Sequence, residues 1–380
     1  MSGAPAEGER LGVLGGGQLG LMLARAAAGL GATPRCLDPN PDACAGAAAE
    51  LITGPFEAGP HLDRFCDGID ALTYEFENVP AALLGAIEAR TGRAINPPAR
   101  ILAAAQDRAA ERRLFAEIPP PRWREVDDAG DIPMALEFVG GAGILKSRRF
   151  GYDGKGQARV ADATDSARVW HAIGERPAVL DELVRFEREV SIIAARAADG
   201  STALYPLNEN THDDGILRRT ITPARETDAT RAAGDAVLRF MGRTGYVGVL
   251  AVEFFERESG GSTELLFNEL APRVHNSGHW TIEGAKTSQF ENHARAILGL
   301  PLGPAEPAGH AAMLNIVGAP PDAEQTRRIE RTGGAALHLY GKAAKPGRKL
   351  GHVTVIAPTE AERDELAERL SADCPFVKRR

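Results

Sequence analysis

Along this 380-residue chain the apolar positions fall into short runs broken by glycine, proline and acids. Residues 11–14 form one such run, which reads as a buried strand. It leads into Gly15, Gly17 and Gly20, spaced GxGxxG, and then into a helix that glycine ends at 29 or 31. A second strand is predicted over 34–37, ending at Asp38. A third, over 71–74, delivers Glu75, Glu77 and Asn78 ahead of a helix starting near Pro80. After Asn96-Pro97-Pro98 the alternation pauses, so a domain boundary is expected near residue 100. Helices follow over 106–117 (basic and amphipathic, with Arg108, Arg112 and Arg113) and 130–138, and strands over 143–146 and 179–183. Glu187 and Glu189 alternate along a further strand, so they share a face. Residues 248–255 (GVLAVEFF) are a strongly apolar strand interrupted by Glu253. The last quarter predicts strand 311–317, helix 322–331, strands 335–340 and 352–357, and helix 360–371. The pattern is that of an α/β chain.

The segment 264–280, ELLFNELAPRVHNSGHW, departs most from bland patterning. A core strand runs out, past Pro272, into a loop holding Asn268, Glu269, Arg273, His275, Asn276, Ser277, His279 and Trp280. Sites of α/β proteins sit just past the carboxyl ends of strands. A hairpin pairing 248–255 with 265–269 sets Glu253 near Glu269, and these acids with Asn268 are hard oxygen donors suited to Mg²⁺ bridging phosphates. Zinc on His275 and His279 is disfavoured, because Ser277-Gly278 breaks the helix that HxxxH spacing needs.

Two glycine-rich turns suggest phosphate. GGGQLG with Asp38 has the outline of a dinucleotide fingerprint, but its physical content is only close backbone approach and a helix N-terminus that holds an anion. A phosphate ligand ranks ahead of a purely structural turn, and NAD behind another phosphate. Glu75 is equally suited to ribose hydroxyls or to capping, whereas Glu77 and Asn78 read as caps. The second turn, SRRFGYDGKGQ, is flanked by Lys146, Arg148, Arg149 and Lys155 and reads as a hairpin whose tip is a phosphate lid. His212 falls in a polar loop, where a lone histidine is usually just solvated. Lys342, Lys345, Arg348 and Lys349 crowd a glycine-punctuated loop in which anion binding ranks slightly ahead of a solvated charge run.

Composition narrows the class. With 43% hydrophobic and 25% charged residues the chain is globular, long enough for two or three domains. Its net charge of −8 provides no basic field for nucleic acid. Four cysteines without CxxC spacing read as reduced thiols of a cytoplasmic protein. Neither a signal peptide nor an apolar run of about 20 residues is present, so no membrane role is expected.

Taken in order, GGGQLG, YEFENVP, QDR, KSRRFGYDGKGQ, FEREVS, HDDGIL, VEFF, FNELAPRVHNSGHW and LYGKAAKPGRKLGHVTV resemble the N5-carboxyaminoimidazole ribonucleotide synthase family of ATP-grasp ligases, over nearly the whole chain. The resemblance implies a Rossmann-like N-terminal domain (10–105), a two-lobed ATP-grasp region (106–303, lid lobe about 122–185) and a small C-terminal substrate-phosphate domain (304–376), usually as a homodimer. It implies ATP and Mg²⁺ as cofactors, with bicarbonate and 5-aminoimidazole ribonucleotide as substrates. Arg108, Lys146 and the turn Gly151, Tyr152, Asp153, Gly154, Lys155, Gly156 and Gln157 would hold the triphosphate. Asp181, Glu182, Leu183 and Val184 would form the hinge beside adenine, Glu189 the ribose acid and His212 a nucleotide-site histidine. Glu253 and Glu269 would carry magnesium, with Asn268 beside them. Arg273, His275, Asn276 and Ser277 would face bicarbonate or the imidazole substrate, with Lys155 joining the first three in catalysis. Gln18, Leu19, Glu75, Lys342, Arg348 and Lys349 would hold the ribose phosphate, and Tyr152 would also touch the substrate. The family's hinge usually has Glu where this chain has Asp181; contacts there are expected to be largely backbone.

The implied reaction phosphorylates bicarbonate to carboxyphosphate and carboxylates the exocyclic amine, with Arg273 and His275 holding the carboxylate and managing the proton. The rivals are another ATP-grasp carboxylase or formate-dependent ligase, an NAD-dependent oxidoreductase that leaves GYDGKGQ and the Glu253/Glu269 pair unused, and a non-catalytic nucleotide-binding regulator that has no need for those acids.

Overall fold

The computed structural model describes residues 8–149, 151 and 156–373; Tyr152, Asp153, Gly154 and Lys155 lie outside them. The first sheet is parallel, in the order β3 (Glu50–Thr53), β2 (Thr33–Asp38), β1 (Arg10–Leu14), β4 (Ala71–Tyr74). Parallel neighbours need crossovers, and helices Gln18–Gly29 and Pro60–Cys66 supply them. Covered on both faces, β1 is apolar at consecutive positions, with Leu11, Val13 and Leu14 wholly buried.

A small antiparallel sheet follows: β5 (Trp123–Val126), β8 (Ala178–Glu182), β6 (Gly143–Ser147), β7 (Gln157–Val160). It has its own core of Val126, Leu136, Leu145, Val160 and Leu180 under helices Ile132–Val139 and Ser166–Ala172. The hairpin expected around the second glycine turn is therefore β6–β7.

The third sheet has nine strands among the described residues, all antiparallel. Its path is β14 (Ser262–Ala271), β13 (Gly248–Ser259), β9 (Arg188–Arg196), β11 (Asn208–Asp213), β12 (Ile216–Thr222), β15 (His310–Val317), β17 (Lys349–Ala357), β16 (Ala335–Leu339). β10 (Thr202–Leu204) pairs β9 at the side. The strands after residue 310 thus continue the sheet that carries Glu253. On one face Phe115, Phe240, Phe254 and Phe267 pack as an aromatic core, with Phe115 4.8 Å from Phe267 and 5.2 Å from Phe240, ring centre to ring centre. Helix Gln289–Ile297 joins this sheet to the first. Its buried His293 accepts the Val249 amide at Nδ1 (3.0 Å), so Nε2–H donates to Thr73 Oγ1 on β4 (2.8 Å).

Two expectations are corrected. A separate short helix, Ala99–Ala105, lies ahead of the expected span, and the helix expected over 106–117 is only Arg108–Leu114. Asp107 separates them, capping the second by accepting the Ala109 and Ala110 amides at 3.0 and 3.3 Å. His212 lies on strand β11, not in a loop.

Candidate active site

The β13–β14 ladder places the acids. Glu253 pairs with Glu269 and Phe254 with Phe267, so Asn268 is an extra residue on β14, a β-bulge. Without it, strict alternation would turn only every second residue toward the site. With it, Phe267 stays in the core while Asn268 and Glu269 are both half-buried beside Glu253. The Glu253 carboxyl is pushed up to about 7, by burial first and by the charges of Glu269 and Glu189, against the lowering effect of His212 and Lys349. His212 Nδ1 lies 2.9 Å from Glu189 Oε2 on neighbouring β9, and this pairing raises the histidine against its burial. Arg108 Nη1 approaches Glu269 Oε2 at 3.4 Å. Glu111, one helical turn on from Arg108, accepts the Leu270 amide at 2.7 Å, and burial and the Glu269 charge push it up to about 8.

Beyond β14 the loop is pinned residue by residue. Arg273 pairs with Glu77 at 2.9 Å, so Glu77 is a positioning acid and not the helix cap expected of it. The buried Gln289 side chain clamps the His275 backbone from both sides: the His275 amide donates to Oε1 (3.0 Å) and Nε2 donates to the His275 carbonyl (2.6 Å). His275 Nε2 stands 3.7 Å from Glu253 Oε1. Burial, then Arg273 and Lys349, hold its basicity well below the usual histidine range. Asn276 exchanges two hydrogen bonds with Asn315 on β15 and reaches His279. Ser277 is buried against Ser191 on β9.

Among the described residues, the cations that flank the second glycine turn are already engaged. Asp181 is bidentate to Arg112 (2.6 and 2.7 Å) and lies 3.0 Å from Lys146 Nζ. Burial alone would raise it; Lys146 and Arg112 outweigh that and hold it at about 2. The Asp181 side chain therefore has a role that backbone contacts alone would not give it. Arg148 and Arg149 pair with Asp107 at 2.7 and 3.5 Å, so they are not free cations on the loop. Glu182 bridges Arg122 and Arg257; Leu183 and Val184, half-buried, lead from β8 toward β9. Lys146 and Gln157 face each other at the turn end of the β6–β7 hairpin, and Gly151 and Gly156 lie in the connection beyond them.

At the first glycine turn the amides meet the protein's own acids. Gly16 N–H donates to Asp38 (2.7 Å) and Gly17 N–H to Glu75 (2.6 Å). A Cβ at Gly15, whose φ is +106°, would stand 2.7 Å from Glu75 Oε1. Asp38 thus braces the turn. What remains open to an anion is the first turn of helix Gln18–Gly29, whose amides have no intrahelical acceptor. Lys342 reaches it from the far end of the chain and donates to the Gln18 side chain. Lys349 is half-buried nearby in sequence, whereas Arg348 is exposed and donates to the Ala343 carbonyl.

Sequence reasoning missed Glu77, Asp107, Glu111, Arg112, Ser191, Asn210 and Gln289 as parts of the site's scaffold. Asp107, just ahead of a helix, carried a legible N-cap signal; the rest act through partners distant in sequence.

An ATP-dependent ligase of the ATP-grasp type fits this fold and site, and family models agree. The ATP-grasp domain matches residues 114–290, the ribonucleotide synthetase pre-ATP-grasp domain 9–106 and the phosphoribosylaminoimidazole carboxylase C-terminal domain 311–366. N5-carboxyaminoimidazole ribonucleotide synthase of Pseudomonas aeruginosa is 43% identical over 364 residues, 95% of this chain and 98% of that protein. The crystal structure of the synthetase from Thermus thermophilus superposes with a TM-score of 0.89 at 45% identity, covering 97% of this chain and 99% of that one. The Aspergillus clavatus synthase, solved with ADP and 5-aminoimidazole ribonucleotide, gives a TM-score of 0.85 at 30% identity, over 97% and 98%. The chain belongs to the N5-carboxyaminoimidazole ribonucleotide synthase family. Its reaction is the ATP-dependent carboxylation of 5-aminoimidazole ribonucleotide to N5-carboxyaminoimidazole ribonucleotide, in purine biosynthesis.

Proposed function

We propose that the carboxyl group comes from bicarbonate by way of carboxyphosphate, and that the segment from Asn268 to Ser277 joins the two half-reactions. The observation that carries this reading is the β13–β14 bulge, which sets Asn268, Glu269 and Glu253 on one site with His275 3.7 Å from Glu253. Arg108, Lys146, Gly151, Gly156 and Gln157 receive the triphosphate together with Tyr152, Asp153, Gly154 and Lys155. Glu182, Leu183 and Val184 lie along adenine, and Glu189 and His212 along the ribose. Asp181 acts one step back, holding Lys146.

Glu253 and Glu269 fit a magnesium ion. Both are oxygen donors, and Glu253 is buried among acids with too little positive charge around it. Among the described residues no three His, Cys, Asp or Glu converge as a cage, which suits an ion that takes one or two carboxylates plus phosphate oxygens. Such an ion, when bound, would neutralise charge on the transferred phosphoryl group. Arg273 and His275 hold the carboxyl being transferred, and Asn276 and Ser277 fix the loop beneath it. The substrate's phosphate docks on the first-turn amides of helix Gln18–Gly29, at Gln18 and Leu19, with Lys342, Lys349 and Arg348; Glu75 lies beside its ribose. We further assign a cytoplasmic location and a homodimer. No helix among the described residues is long and apolar enough to cross a membrane.

Phosphate release is the direct test, measured with Mg²⁺, ATP, bicarbonate and 5-aminoimidazole ribonucleotide and with each omitted in turn. Release is expected only when the imidazole substrate is present. Equal stimulation by unrelated amines, or release unaffected by removing bicarbonate, would overturn the assignment.

A further inference from the structure

A line of buried polar side chains crosses the nine-stranded sheet and ends on His275. Thr220 on β12 donates from Oγ1 to Asn210 Oδ1 on β11 (2.9 Å). Asn210 Nδ2 donates to Ser191 Oγ on β9 (3.0 Å), and Ser191 Oγ donates to Ser277 Oγ (2.8 Å). Ser277 Oγ lies 2.9 Å from His275 Nδ1. Thr220, Ser191 and Ser277 are wholly buried and Asn210 nearly so. The nucleotide and metal contacts proposed above use none of Thr220, Asn210 or Ser191.

The direction of this chain can be fixed. The Ser277 backbone amide also points at His275 Nδ1, at 3.3 Å, and an amide can only donate. Nδ1 must therefore carry the lone pair, and the proton of the neutral ring sits on Nε2. Ser277 Oγ, within reach of the same lone pair, turns its own proton toward it and accepts from Ser191. Turning the Asn210 amide end for end would reverse the polarity: Ser191 would donate to Asn210 and Ser277 to Ser191. That would leave the Ser277 oxygen facing the Nδ1 lone pair without a proton between them. The orientation in the structure satisfies every member.

We propose that this relay locks His275 in the Nε2–H tautomer, so that His275 serves carboxyl transfer as a hydrogen-bond donor, with Ser191 and Asn210 as positioning residues. The inference deepens the reading of the preceding section, on which it rests for the site's identity. Nε2 makes no hydrogen bond among the described residues; it stands 3.7 Å from Glu253 Oε1, outside bonding range. Its N–H is available to an oxygen of the carboxyl group. A base at this position would need its lone pair at Nε2, and hence a proton at Nδ1 directed into the Ser277 amide. The hydrogen bond forms and breaks without proton transfer. Gln289, by clamping the His275 backbone, keeps the ring's attachment fixed while the relay fixes its polarity.

The test is ¹⁵N NMR of the full chain labelled at histidine, with the His275 signals identified by their loss in His275→Gln. The wild type is expected to give a pyridine-type shift for Nδ1 and a pyrrole-type shift for Nε2. In Ser191→Ala the two are expected to move toward each other as the tautomers mix, with kcat reduced and KM for ATP unchanged. The glutamine amide nitrogen takes the place of Nε2, so His275→Gln should keep turnover within about ten-fold of wild type while His275→Ala loses about a hundred-fold, the usual cost of deleting one such donor. A proton found on Nδ1 in the wild type, or His275→Gln as inactive as His275→Ala, overturns the proposal. Absence of imidazole-dependent turnover in the wild type would instead count against the preceding section and leave the tautomer measurement standing.

Discussion

Asp181 and Glu253 are both carboxylates buried on strands, 2% and 8% exposed, and the protein treats them in opposite ways. Asp181 has two cations: a bidentate Arg112 and, at 3.0 Å, Lys146. Its carboxyl is held at about 2. Glu253 has Glu269 across the ladder and Glu189 on the neighbouring strand, against which His212 and Lys349 compensate incompletely, and it is pushed up to about 7. Burial costs each of them solvation. One has that cost returned inside the chain. The other is left short of positive charge, which is how a site looks when its ligand supplies the missing charge. The contrast separates scaffold from site better than conspicuousness does, since both acids interrupt apolar runs.

The largest stability effect should fall on the satisfied acid. Asp181→Ala strands two buried cations, and breaking such a group typically costs about 3–5 kcal/mol. Denaturant midpoints at constant slope measure it; a loss below about 1 kcal/mol would mean the triad is only incidental. Because the folded value lies below the unfolded one, its contribution is present above about 4 and is lost as pH falls from 3.8 to about 2. Acid unfolding of Asp181→Asn should accordingly show less dependence on pH across that window than the wild type.

Glu111 is raised as Glu253 is, to about 8, yet it is tied to the scaffold by a hydrogen bond as Asp181 is tied by its cations. It accepts the buried Leu270 amide and sits close to the Arg108 and Glu269 charges. Glu111→Ala leaves that amide without an acceptor, a loss of about 1–3 kcal/mol. Glu111→Gln keeps an accepting oxygen, so its loss should stay under about 1 kcal/mol. Equal losses for the two variants would show that charge, not the hydrogen bond, is what Glu111 contributes.

What the sequence made legible follows the same division. Strands β1, β13 and β15 were readable because both their faces are buried and their residues must be apolar. Glu253 was readable as the misfit in one of them. The bulge at Asn268 was not, since which residue is extra depends on how two strands twist together. Strand β11 hid because NENTHD lines the site and is polar for that reason, a tertiary override of strand propensity. The glycine turn misled in another way. GxGxxG specifies close backbone approach, and it is Glu75 and Asp38 of the chain itself that approach. Arg273–Glu77 and Lys342–Gln18 join opposite ends of the sequence, and no local pattern marks them.

The smallest stability effect, and the sharpest test of the contrast, belongs to Glu253→Gln. Its folded value is raised, so relative to the unfolded chain its stability contribution is fully present below about 4.5 and is lost as pH rises through about 7. At pH 8 the wild type therefore carries an opposed buried charge that glutamine removes. Without ligand, Glu253→Gln should be at least as stable as the wild type at pH 8, and its advantage should shrink toward pH 5. Thermal midpoints of both proteins across that range measure this directly. Turnover should meanwhile collapse, because the variant discards the charge that the ligand was to balance. A variant that is destabilised at every pH would show Glu253 to be compensated within the chain, as Asp181 is, and the distinction between the two acids would fail.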